Sequence, residues 1–224
     1  IVEVLDVIQN NNTVYIVMEF VEGETLKEKV LHEGPLEEKQ AIAILLQLLD
    51  AIETIHNAHT LHRDIKPENI LISKDNHVVL VDFGSAREFT DDKTSTLTAI
   101  LTPGYAPPEQ YSDRSKRGPF TDIYALGSTL YFIITGQKPL AVTDRVNEKM
   151  PAPHEVSPKI SSQLSSAILL AMQLKPEDRF QNAHDFRTGI KQLKTTTAIV
   201  PKKVDLEEAL VIPIEPKSAY GIGR

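Results

Sequence analysis

Apolar residues recur at steps of three and four through residues 36–56, at Ala41, Ile42, Leu45, Leu48, Leu49, Ile52 and Ile55. That period lays a stripe along one face of a helix, so it predicts a long helix with a wide buried side. Upstream, residues 1–8 (IVEVLDVI) and 14–20 (VYIVMEF) are rich in β-branched and aromatic residues and flank the turn-forming QNNNT. The combination predicts a β-hairpin. Glu22-Gly23-Glu24 breaks the pattern, and a short helix is expected over residues 25–31.

After the long helix the chain turns polar at His62-Arg63-Asp64, with Lys66 and Asn69 close behind, and then runs straight into the apolar Ile70-Leu71-Ile72. A polar loop feeding a buried strand is the kind of rigidly held loop on which catalytic side chains concentrate. Residues 77–81 predict a further strand entering Asp82-Phe83-Gly84. Periodicity disappears over 85–108, and so long an irregular stretch inside a compact domain usually carries function. Helical patterning returns over 122–134, stops at Gly136, and resumes over 161–174 and 183–193. Beyond Lys194 the composition shifts and three prolines appear, which reads as a linker or tail over 195–224.

Composition narrows the function classes. With 224 residues, 41% apolar and 25% charged, the chain is an ordinary globular sequence of one domain, or one domain with an appendage. A net charge of −7 argues against sequence-independent nucleic-acid binding, which needs clustered Lys and Arg. The absence of cysteine excludes disulfides and thiolate metal sites and points to a reducing compartment. No apolar run is long enough to span a bilayer. The chain starts at Ile1 inside a strand-like run, so the N-terminus is expected to be cut.

The ordered set His62-Arg63-Asp64, Lys66, Asn69, then Asp82-Phe83-Gly84 18 residues after Asp64, resembles the catalytic loop and metal-binding motif of eukaryotic-type serine/threonine protein kinases. Pro107-Pro108-Glu109 stands where that family has Ala-Pro-Glu, and TPGYAPPEQY is most similar to bacterial members. Asp122 to Gly127 (DIYALG) and Lys175-Pro176-Glu177-Asp178-Arg179 extend the likeness over residues 1–194. The resemblance implies an α+β, protein-kinase-like fold. Residues 1–23 would be a two-strand remnant of the β-rich N-lobe with the hinge, residues 24–194 a mainly helical C-lobe, and 195–224 the tail.

It also implies roles. Asp64 would orient the substrate hydroxyl and accept its proton, Lys66 would neutralise the γ-phosphoryl oxygens, and Asn69 and Asp82 would hold Mg²⁺, with Mn²⁺ as the alternative. Met18 would be the gatekeeper, and Glu19 and Val21 the hinge that hydrogen-bonds adenine. Glu24 would meet the ribose and Leu71 would floor the base. Thr102 would shape the substrate pocket, although Leu101 stands where the family usually has glycine. Arg63 would clamp a phosphate on Thr98, with Thr96 as second site. His62, Asp122 and a Glu109–Arg179 ion pair would be scaffold. The expected partners are ATP and proteins with Ser or Thr acceptors, including autophosphorylation in trans, in a cytoplasmic setting.

The ten glycines include no G-x-G-x-x-G, and no lysine before Asp64 lies in a strand of the V-A-I-K type. The family's Gly-rich loop, strand lysine and helix glutamate would therefore lie upstream, and the 224 residues alone are expected to transfer little phosphate. Two alternatives belong to other classes. A pseudokinase scaffold has no need of Asp64, Lys66, Asn69 and Asp82. A small-molecule phosphotransferase has no need of the long segment ending in Pro-Pro-Glu or of the Thr102 pocket.

Overall fold

The computed structural model describes residues 1–11, 13–82, 101–112 and 114–193, together with the backbone of 87–88. Phe83, Gly84, Thr96, Thr98 and the expected tail lie outside the described residues. Among the described residues the architecture is α+β, a mainly helical body carrying three small antiparallel sheets.

The N-terminal hairpin forms as its pattern predicts, with β1 (Val4–Asn10) paired to β2 (Thr13–Met18) and a register shift between Val4 and Asp6. Every described residue of both strands is exposed on both faces, and Phe20 just beyond them is 90% exposed. A lone two-stranded hairpin is marginal in water. Its anchor to the helical body is at its start, where Val2 is buried and donates its N–H to the Leu80 carbonyl at 3.1 Å.

The short strand β3 (Gly23–Thr25) joins β5 (Ile70–Ser73) and β6 (Val78–Leu80) in order β3-β5-β6. Thr25 then opens helix α1 (Leu26–Glu33) through a capping box. Its hydroxyl accepts the Glu28 N–H at 3.1 Å while the Glu28 carboxylate accepts the Thr25 N–H at 2.9 Å. The predicted long helix is α2 (Glu38–Asn57), and all seven apolar positions of its stripe are buried, with Ile44 added. Two two-residue strands, β4 (Thr60–Leu61) and β7 (Arg87–Glu88), pair with each other, and β4 leads directly into the loop that begins at His62.

Helix α3 (Pro119–Thr135) starts three residues before its apolar pattern, because Pro119 suits the first helical position and needs no N–H partner there. It is buried on all sides from Thr121 to Thr135, so it is the central helix around which α2 and α5 (Ser162–Ala171) pack, with the short α4 (Pro153–Val156) beside it. Gly136 ends it in the left-handed region at φ 70° and returns its N–H to Phe132 at 2.8 Å. Helix α5 stops at Ala171, short of the expected 174. The chain turns there so that the carbonyls of Gln173 and Leu174 face the Arg179 guanidinium, at 2.6 and 3.0 Å. Helix α6 (Ala183–Leu193) packs on α2 and α5.

Candidate active site

The loop between β4 and β5 is shaped by its own sequence. Lys66 is fully extended at φ −158°, ψ 161°, and its side chain meets that of Asp64, two residues before it. Pro67 then opens a single 3-10 turn, Pro67–Asn69, which brings the Asn69 N–H onto the Lys66 carbonyl at 2.9 Å. That turn swings the Asn69 amide back over Asp64, where its NH₂ donates to the Asp64 carbonyl at 2.8 Å and to Oδ2 at 2.9 Å.

Asp64 is the centre of the cluster. Lys66 Nζ reaches both of its carboxylate oxygens, at 2.9 and 2.7 Å. Thr102, 38 residues away in sequence, donates its hydroxyl to Asp64 Oδ1 at 3.2 Å and accepts from Lys66 Nζ at 3.2 Å. Leu101 in place of the family's glycine does not displace it. The Thr102 carbonyl closes a tight turn by accepting from Tyr105 and Ala106 at 3.1 and 3.0 Å. Gly104 permits that turn with φ +92°, and a Cβ there would lie 2.7 Å from the Pro139 carbonyl oxygen.

The loop is held from below by Asp122, which is fully buried at the start of α3. Its carboxylate accepts the N–H groups of His62 and Arg63, both at 2.9 Å, and faces His56 Nε2 at 2.9 Å. Burial pushes the Asp122 carboxyl up. The His56 hydrogen bond and charge, the His62 charge and the Arg63 N–H outweigh burial and leave it below the usual carboxylate range. Arg63 itself sits at φ 67°, a strained region for a residue with a Cβ, and is kept there by this hold.

His62 is wholly buried under the loop. Burial lowers its imidazole below the ordinary value, opposed by the charges of Asp122 and Asp64. The folded state therefore resists a proton that the unfolded chain takes up near pH 6.5. Stability is full above that pH and falls as pH drops toward the lowered folded value. Urea melts between pH 7.5 and 5.5 are expected to show this slope. It should flatten in His62→Asn, whose amide oxygen keeps an acceptor near Nδ1 without titrating. An unchanged slope in the variant would assign the proton uptake elsewhere.

The remaining nucleotide-side residues are placed by the strands. In β5, Ile70 and Ile72 are buried while Leu71 is only partly covered, so Leu71 faces away from the helical core. Thr25 lies opposite Leu71 in the β3–β5 register, which brings the segment after the hinge beside it. Met18 ends β2 and is 43% exposed. Glu19 donates its N–H to the Glu3 carbonyl and accepts the Glu3 N–H on its carboxylate, both at 3.0 Å. Val21 is partly buried. Glu24 faces Lys29 at 3.6 Å and His32 at 3.7 Å, partners with which ribose hydroxyls would compete. Asp82 is exposed, at φ 66°, directly after Val81, whose N–H bonds the Asn69 carbonyl at 2.9 Å. That bond ties the two expected metal ligands together through the backbone.

These donors fit a hard divalent cation. Asn69 uses its NH₂ on Asp64, which leaves its carbonyl oxygen for a cation, and Asp82 adds an exposed carboxylate. One or two protein oxygens completed by phosphates and water is how Mg²⁺ is usually held.

Further from the loop, Glu109 and Arg179 form the expected buried ion pair, two parallel bonds of 2.7 and 2.9 Å. Two residues of the assembly carry no role in the sequence reading. His56 lies four residues after Ile52 on the buried stripe of α2, a signal that a polar group would be buried there. Gln110, buried in the turn Pro108–Tyr111, donates to the Arg63 carbonyl at 2.9 Å, and an aperiodic loop gives no advance sign of it.

A carboxylate, a lysine, a carboxamide and a threonine hydroxyl are joined in one network, with a second carboxylate one strand away. The chain belongs to the protein kinase domain family, whose model matches residues 1–195. Among relatives, it is 33% identical over 219 residues to the serine/threonine-protein kinase PknB of Mycolicibacterium smegmatis, covering 92% of this chain and 35% of that protein. It is 33% identical over 190 residues to the serine/threonine-protein kinase PknA of a Nostoc species, covering 82% of this chain and 33% of that protein. The solved structure of PpkA-294 in its apo form superposes with a TM-score of 0.71 at 35% identity, covering 84% of this chain and 67% of that one. The chain thus spans about a third of the length of these two curated relatives.

Proposed function

We propose that this chain forms the catalytic and substrate-binding lobe of an ATP-dependent protein serine/threonine kinase. The observation that carries the reading is the closed network of Asp64, Lys66, Asn69 and Thr102, with no hydrogen bond longer than 3.2 Å. In the reaction, the acceptor hydroxyl oxygen forms a bond to the γ-phosphorus. The bond from that phosphorus to the β–γ bridging oxygen breaks, ADP leaves, and the hydroxyl proton goes to the Asp64 carboxylate. Little covalent work falls to the protein, so its contribution is positioning and charge compensation.

Asp64 orients the hydroxyl, Lys66 balances charge on the transferred group, and Thr102 fixes both while forming the wall of the acceptor pocket. Asn69 and Asp82 would hold Mg²⁺, or Mn²⁺ with the same hard oxygen donors, and the ion supplies compensation of phosphate charge when bound. Leu71, together with Met18, Glu19 and Val21, is assigned to the adenine, and Glu24 to the ribose. Residues 1–23 act as hinge and N-lobe strands, 24–194 as the C-lobe, and 195–224 as a tail. Arg63 clamps the activating phosphate on Thr98, with Thr96 as second site, and a second copy of the kinase places that phosphate in trans. The cytoplasm, which supplies ATP and needs no disulfides, is the proposed setting. Among the described residues no helix is long and apolar enough to cross a membrane.

The test is acceptor class. The intact protein, with any residues that precede Ile1, is given labelled ATP and Mg²⁺ together with either a generic Ser/Thr-rich protein or small alcohols. Phosphoserine and phosphothreonine on the protein, with alcohols untouched, is the expected outcome. Phosphate on the alcohols alone would make this a small-molecule phosphotransferase. Transfer to neither would return it to the partner-binding class.

A further inference from the structure

Arg63 lies between two peptide groups, and its positive φ of 67° makes both of them prone to relax. The first, His62–Arg63, is fixed by the 2.9 Å bond from the Arg63 N–H to Asp122. The second, Arg63–Asp64, carries the backbone of the catalytic carboxylate. Its N–H meets His62 Nδ1 at 3.4 Å, a long and weak hydrogen bond. Its carbonyl accepts from the Gln110 carboxamide at 2.9 Å, the short anchor on that peptide plane. A carbonyl can only accept, so the group facing it must be the amide NH₂.

Gln110 is 4% exposed, and its turn belongs to the segment that also sends Thr102 to Asp64 and Glu109 to Arg179. The segment therefore grips the catalytic loop twice, at the Asp64 side chain and at the peptide that precedes it.

Resting on the kinase reading, we infer that Gln110 is a positioning residue for phosphoryl transfer: its amide holds the Arg63–Asp64 peptide so that the Asp64 carboxylate stays aimed at the acceptor hydroxyl. It couples the acceptor-binding segment to the catalytic loop without touching the substrate.

The test compares Gln110→Met, which cannot donate, with Gln110→Glu, which donates only as the neutral acid. Of the charged and titratable groups on the elements that meet here, Asp64 is paired with Lys66, Asp122 with His56 and Glu109 with Arg179, while Arg63 and His62, whose Nδ1 accepts the Asp64 N–H at 3.4 Å, are common to both variants. The introduced carboxyl is then the group whose titration separates the two variants. Hydrogen-exchange protection at Arg63 and Asp64 is measured in the 224-residue chain at pH 5.5 and 8. Amides of α2 and α6 serve as the folding control. In parallel, kcat and the KM for ATP are measured in the intact protein.

Gln110→Met is expected to lose protection and kcat by about tenfold or more at both pH values, the scale of a small misplacement of a reacting group, with the KM for ATP unchanged. Gln110→Glu is expected to match that loss at pH 8 and to recover toward the parent at pH 5.5. Loop protection and kcat unchanged in both variants would overturn the inference. So would a loss in Gln110→Glu that does not depend on pH, or one shared by the control helices. Absence of transfer by the parent protein, with the pH-reversible loss of loop protection intact, would sink the kinase reading and leave the clamp standing.

Discussion

Arg179→Met is expected to destabilise the fold by about 3–5 kcal/mol, the cost of stranding one member of a buried ion pair. The Glu109 and Arg179 side chains are 3% and 0% exposed, and the two parallel bonds between them are charge-assisted. The same guanidinium donates to the carbonyls of Gln173, Leu174 and Phe120 at 2.6, 3.0 and 3.2 Å and lies 5.0 Å from the centre of the Tyr124 ring. Methionine fills much of the space and answers none of these acceptors, so a carboxylate and three carbonyls lose their partner together. Thr121, which donates to Glu109 at 3.1 Å, cannot balance the charge. In a domain of this size the loss corresponds to a fall in Tm of roughly 6–20 °C. Glu109→Leu combined with Arg179→Met should regain part of it, because an apolar pair leaves no charge uncompensated. A single variant within about 1 kcal/mol of the parent by urea unfolding would show that solvent reaches the carboxylate and that the pair does not anchor the segment.

Asp64→Asn is expected to lower kcat by about 10²–10⁴-fold while Tm stays within a few degrees, the signature of lost proton acceptance rather than lost structure. The shapes match, so the loop retains Asp122 beneath it and Thr102 beside it. One oxygen remains to accept from Lys66 or Asn69. What disappears is the second acceptor and the negative charge, at the atom where the substrate hydroxyl must leave its proton. An NH₂ group in its place also faces Lys66 Nζ, now 2.7–2.9 Å from the carboxylate oxygens, donor against donor. The ammonium is therefore expected to swing away, so the change removes the base and loosens the cation that balances the phosphoryl oxygens.

The parts of the fold that were legible in the sequence are those where burial imposes a period. The stripe of α2 could be read residue by residue because one face of a twenty-residue helix meets the core and the other does not. The hairpin was legible from β-branched content and its turn. The exposure of both its faces was not, since nothing in a run of Val and Ile says what covers it. Strands β3, β4 and β7 have two or three residues each, too short for any period, and exist because backbone groups beside the catalytic loop need partners. Helix α5 ends three residues before the expected 174, because Leu174 continues the apolar pattern while its carbonyl is taken by Arg179 five residues on.

The site divides in the same way. Asp64, Lys66, Asn69 and Asp82 were legible through ordered spacing, and Thr102 through its place before Pro-Gly-Tyr. Their mutual contact is a tertiary fact, since Thr102 lies 38 residues from Asp64, within the stretch 85–108 that carries no periodic signal. Gln110 stayed hidden because its chemistry is a single amide aimed at a backbone carbonyl, and a lone polar residue in a loop is the commonest thing a surface shows. His56 could have been found, since a histidine on a buried helix face needs a partner, but only the fold names Asp122 as that partner.

The most direct test of the central claim, that this lobe carries out phosphoryl transfer through Asp64, is a single-turnover measurement. The intact protein and its Asp64→Asn variant are saturated with ATP and Mg²⁺, mixed with a Ser/Thr protein acceptor, and followed for phosphate on the acceptor. The account predicts transfer by the parent and a rate about 10²–10⁴-fold lower in the variant at equal ATP affinity and equal Tm. Equal rates in the two proteins would contradict it, because the carboxylate on which the whole hydrogen-bond network converges would then have no part in the chemistry.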